Sequence, residues 1–132
     1  MSKSGKTPAA TKAAASSANA TAPAPDLKTT LDALRAVRLQ LYAIPGATVS
    51  AMAPADQIKY GDNLQQLGTD ILKLEATQMQ QVNQAFVQQA PALQNASTKL
   101  QNDVSALTDS VKVIQTVNSG LGLITNIVGL LK

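Results

Sequence analysis

The sequence predicts an all-α fold: an elongated antiparallel helical hairpin or three-helix bundle with coiled-coil character, preceded by a disordered N-terminal tail. Three observations carry that expectation. Apolar residues recur at three- and four-residue spacings through three long segments. Leu93, Leu100, Leu107, Ile114, Leu121 and Val128 then repeat every seven residues. Residues 1–25, by contrast, hold no large apolar side chain after Met1.

That first segment, MSKSGKTPAATKAAASSANATAPAP, is Ala, Ser, Thr, Pro and Lys. It cannot bury enough surface to offset the entropy of ordering, so a disordered tail over 1–25 is expected ahead of a helical domain over 26–132. The functional reading of the same composition is an unstructured export signal. No apolar h-region marks a secretory signal, and Ser2 stands where N-myristoylation needs glycine. The expected localisation is therefore cytoplasmic, or exported without a cleaved signal peptide. Ser4-Gly5-Lys6-Thr7 ends like a phosphate-binding loop but lacks the first glycine and a preceding strand.

The formal charge of +3 sits entirely in this tail, on Lys3, Lys6 and Lys12. Residues 26–132 carry eight basic and eight acidic side chains and are neutral. A nucleic-acid binder needs a basic face on its fold, so no nucleic-acid partner is expected.

Three helices are expected, at about 26–44, 55–90 and 91–131. Asp26 is positioned to cap the first, whose buried face is Leu27, Leu31, Leu34, Val37 and Leu41. Pro45-Gly46 ends it, residues 45–54 form a loop, and Pro54 suits the first turn of the next helix. That helix buries Tyr60, Leu64, Leu67, Ile71 and Leu74, and its stripe shifts to Met79, Val82 and Phe86. Gly61 and Gly68 lie on nearly one face, as at a close helix–helix approach. The Gln-rich stretch 78–89 reads as a solvated helix face.

The third helix is the most informative. Written as a heptad, the Leu93 series is position d, and Ser97, Val104, Val111, Asn118 and Thr125 are position a. Leucine at d with β-branched residues at a favours two strands, and a lone Asn118 at a would set register. The same stripe serves equally as the core face of a bundle. Pro91 removes a backbone donor and disfavours helical geometry at Ala90, so a hairpin turn is expected at 89–92, with a kinked single helix as the alternative. The expected interface is Leu93, Leu100, Val104, Leu107, Val111, Ile114, Asn118, Leu121, Ile124, Val128 and Leu131.

Beyond Val111 the apolar pattern covers most of the helix circumference, and Gly120, Gly122 and Gly129 permit close packing. The segment 111–132 serves as bundle core or oligomer seam, as a membrane-contacting helix, or as a docking segment for a larger partner.

Catalysis is argued against by inventory. There is no Cys or His, which removes the thiol nucleophile, the usual base near neutral pH and the commonest metal ligands. The acids are seven Asp and Glu75, with no paired arrangement evident. No cofactor, metal or small-molecule substrate is expected. The sequence thus points to a non-enzymatic assembly protein, acting by coiled-coil-type self-association or by docking on a larger helical partner. The alternative is an exported or membrane-active helical protein using the apolar end. Its composition resembles that of bacterial appendage subunits and secretion-system translocators.

Overall fold

The computed structural model describes residues 21–131. The expectation of a disordered 1–25 falls mostly outside them. Of that segment, Thr21–Pro23 forms a short strand, β1. Then come α1 (Lys28–Tyr42), α2 (Gly46–Ser50), α3 (Pro54–Thr77), β2 (Gln81–Asn83), α4 (Gln84–Ser105) and α5 (Ser110–Val128). The fold is all-α, as the periodicity indicates, with four long helices where three were expected. The loop expected at 45–54 contains the single turn α2.

The helix ends follow local chemistry. Asp26, expected to cap α1, accepts from Lys28 N at 3.0 Å, but it stands one residue ahead of the N-cap position, which is Leu27 and has no side-chain cap. Pro54 opens α3 at a position whose amide has no intrahelical partner in any case. Asn83 caps α4, its side-chain oxygen accepting from Phe86 N at 2.8 Å. Asp109 caps α5, accepting from Val111 N at 2.9 Å and Lys112 N at 3.4 Å. Each such cap contributes about 1 kcal/mol.

The chain therefore reverses at 78–83 and at 106–109, and not at 89–92. Pro91 lies inside α4. The reason is burial. Phe86, Ala90, Leu93, Ser97, Leu100 and Val104 form one unbroken buried row along α4, at spacings of four and three. Pro91 sits on the exposed side of that helix, where its ring meets solvent. An interior proline costs about 3 kcal/mol. A buried Phe or Leu side chain contributes about 1.5–3 kcal/mol, and the row holds several.

Four helices enclose one core. α1 packs on α3 and α4, and α5 packs on the same two. Gln40 on α1 donates to Ser105 Oγ at 3.0 Å, which places the C-terminal ends of α1 and α4 together. Arg35 on α1 meets Glu75 on α3 at 2.5 Å, so these two run antiparallel. Asn63 and Asp70 of α3 reach Ile114 and Thr125 of α5, so those two run parallel. The consecutive helices α3 and α4 share no packed face, because residues 78–83 carry the chain diagonally across the end of the bundle. β1 lies antiparallel on this crossover, with Ala22 opposite Val82. Asn83 also donates to the Leu130 carbonyl, tying the crossover to the end of α5.

The Gln-rich stretch is thus split between a crossover and the start of α4, and is not one continuous helix face. Met79, expected on a buried stripe, is 89% exposed, whereas Val82 and Phe86 are buried. At Gly120 a Cβ would lie 2.9 Å from Leu100 Cδ1, so any larger residue there requires the Leu100 side chain to move.

Removing the proline ring from a continuous, solvent-facing part of α4 restores a backbone donor without disturbing the core. Pro91→Ala is expected to stabilise the fold by about 1–3 kcal/mol, read by urea unfolding. A destabilised variant would mean that the chain needs its turn at this position.

Candidate interaction groove and a buried polar seam

The heptad residues meet inside one chain. Leu93, Leu100 and Val104 on α4, and Ile114, Leu121, Ile124 and Val128 on α5, are all buried in the common core. Leu107 lies in the turn between these helices and Leu131 beyond the end of α5, both half-buried against that core. Val111 is half-buried, and Asn118 is exposed. Asn118 therefore lies off the buried face of α5 within the chain, for a simple reason. The turn at 106–109 resets helical phase. On α4 the second buried series follows d by four residues, at Ser97 and Val104. On α5 it follows by three, at Val117 and Ile124, which rotates Asn118 outward. The unbroken series from Leu93 to Val128 spans two helices.

Between α3 and α5 runs a polar seam. Asn63, buried, donates to the Ile114 carbonyl at 3.1 Å. Asp70 is 1% exposed. Its two carboxylate oxygens accept from Gln66 Nε2 at 2.9 Å and Thr125 Oγ1 at 3.0 Å, and no cation pairs with it among the described residues. Burial raises its pKa above the ordinary carboxylate value, while those two hydrogen bonds and the charge of Lys73 pull it down only in part. On sequence grounds Asp70 was detectable: three residues after Leu67, it falls within the apolar stripe of α3.

A different surface collects the exposed apolar side chains. Leu39 (68% exposed), Tyr42 (56%) and Leu72 (67%) flank one groove between α1 and α3. The groove encloses about 460 Å³ and is completed by Arg35, Arg38, Gly68, Ile71 and Glu75. Single exposed leucines are ordinary on a protein surface, but three large apolar groups along one groove are not scattered. Leu39 and Leu72 each lie off the buried stripe of their own helix, which is the signal that a sequence reading can use and that the seven-residue series drowned.

Gly68 forms part of the floor. A Cβ there would sit 3.1 Å from Arg38 Nη2, so what lies against this glycine, expected at a close helix–helix approach, is the end of the Arg38 side chain and not the backbone of α1. Gly61, expected to share that role, faces open space. The two arginines differ. Arg35 is neutralised, 2.5 Å from Glu75 and 3.8 Å from Asp32. Arg38 has no carboxylate partner among the described residues. Its Nη2 donates to Tyr42 Oη at 3.2 Å, its guanidinium carbon lies 5.3 Å from the centre of that ring, and its buried Nε has no acceptor.

A second cleft, of about 500 Å³, runs between α4 and α5. It offers one exposed apolar residue, Leu123, and its basic group Lys99 is already paired with Asp103 at 2.7 Å. The described residues contain no group of metal-ligating side chains. Compared with known proteins, the chain matches no family model, no curated protein and no solved structure.

The buried carboxylate fixes the sign of one pH effect. A carboxyl whose folded pKa is raised holds its proton more tightly when folded. Its contribution is most favourable below the unfolded pKa of about 3.9 and is lost as pH rises through the folded value. Asp70→Asn removes this penalty. The variant is expected to melt above the parent at pH 7, with the difference closing towards pH 3, as followed by circular dichroism. A constant difference across that range would remove Asp70 as its source.

Proposed function

We propose that this protein is a non-enzymatic helical interaction module that docks a partner along the α1–α3 groove. One observation carries the reading: Leu39, Tyr42 and Leu72, three of the most exposed large apolar side chains, line a single groove between two rigid helices. Burying them against a partner removes apolar surface from water at about 25 cal/mol per Å². A sequence without Cys or His is consistent with a role that makes and breaks no bonds.

Of the two modes the heptad pattern suggested, docking is favoured over coiled-coil self-association. Most of the seven-residue stripe is buried within the chain, which supports docking by leaving less of it for a second copy. The alternative of a membrane-active α5 requires that helix to leave the core, since its apolar face is buried. Among the described residues no helix is long and apolar enough to cross a membrane.

A photo-crosslinking amino acid at position 72 tests the reading in cells, with position 123 on the opposite cleft as control. Crosslinks at 72 that disappear when Leu39→Gln is added, with none dependent on that change at 123, are the expected result. Equal crosslinking at both positions would sink the groove as the docking site. Both substitutions lie on exposed side chains, where stability changes stay within about 0.5 kcal/mol.

A further inference from the structure

The groove has a defined length and an unbalanced charge, and together these specify what fills it. It runs from Arg35 to Tyr42 on α1 and from Gly68 to Glu75 on α3. Eight residues on each wall, seven steps apart end to end, correspond to two helical turns, about 10 Å. That is the span between the i and i+7 anchors of a helix lying in a groove. Leu39 and Leu72 stand on opposite walls, and Arg38 is a basic lining group without a carboxylate partner among the described residues.

Resting on the docking reading above, we infer that the occupant is an amphipathic helix of another protein, which presents a carboxylate to Arg38 and lays its apolar face between the walls that carry Leu39 and Leu72. The guanidinium can receive a carboxylate in a charge-assisted contact at its terminal nitrogens, of which Nη2 is held only by the Tyr42 hydroxyl, while the buried Nε stays out of reach of a partner. Desolvation by the flanking leucines strengthens that contact.

Two other occupants fit less well. The chain's own residues 1–20 carry Lys3, Lys6 and Lys12 with no acid and no large apolar residue after Met1. They would add cations to a groove that has one to spare. A second copy meeting groove to groove would oppose Arg35 and Arg38 to the same two arginines, because a two-fold interface presents one patch to itself.

The test uses the full chain and two synthetic helical peptides of about four turns. Both carry leucine at i and i+7, and they differ only in Glu or Lys at i+4. Fluorescence anisotropy at low salt should show the Glu peptide binding about tenfold more tightly than the Lys peptide. Arg38→Glu should invert that order, and Leu72→Gln should remove binding of both. Should Arg38→Glu fail to fold, Arg38→Gln should bring the two affinities together.

Equal affinities for the two peptides, both lost in Leu72→Gln, would overturn the carboxylate inference while leaving the groove as a docking site. Binding indifferent to Leu72, or no binding by either peptide, would overturn the inference; the crosslinking experiment at position 72 then judges the groove separately. A parent dimer in sedimentation equilibrium that Leu72→Gln dissociates would replace the acidic helix with a second copy. Flotation on phosphatidylserine vesicles that Arg38→Glu abolishes would replace it with an anionic membrane.

Discussion

Burial of the α4 row from Phe86 to Val104 is the constraint on which the rest of this molecule depends. α4 contacts α1 on one side and α5 on the other, and it anchors the crossover strand that leads into it. Keeping that row continuous requires the helix to run straight past Pro91. With that position denied as a turn, the chain reverses where side chains can satisfy the exposed amides of a new helix, at Asn83 and Asp109. The length of α3, the diagonal crossover and the phase of α5 all follow from those two reversals.

The diagonal crossover has consequences for packing. Bundles in which every consecutive helix pair is adjacent place antiparallel helices side by side throughout. Here α1 lies beside the parallel α4, and α3 beside the parallel α5. The α3–α5 contact is also where polar groups enter the interior. A carboxylate held only by an amide and a hydroxyl costs more stability than an apolar residue of similar volume would. Its hydrogen bonds, however, are satisfied in one alignment of α3 against α5, and a slipped or rotated helix would strand the charge. The contact of α1 on α3 leaves its outer edge open, which is where Leu39 and Leu72 stand exposed.

Much of the fold was legible in the residues. The all-α class, the buried face of α1, the start of α3 at Pro54 and the stripe Leu67, Ile71 and Leu74 all follow from helical periodicity. The second half was misread at its joints. Pro91 carries the local cost of a breaker, which favours a turn over a kinked helix until the burial of an unbroken row across it is counted. The Asn83 cap sits within a Gln-rich run that reads as good helix, and the Asp109 cap within a heptad series that reads as uninterrupted. The candidate site was legible only in part. Leu39 and Leu72 are visible as off-stripe leucines, but no spacing says that they flank one groove, because they belong to different helices, 33 positions apart along the chain.

What the sequence determined by itself is the periodicity of burial: which residues of each helix turn inward, and that no thiol or imidazole chemistry is available. Those are local properties, set by 3.6 residues per turn and by composition. Tertiary structure decided where the chain reverses, which members of the seven-residue series are buried within the chain, and which arginine of the groove lacks a carboxylate partner among the described residues. Each of those is a competition between alternatives of similar local cost. Contacts between residues far apart in sequence settle it, such as Arg35 with Glu75 and Asp70 with Thr125.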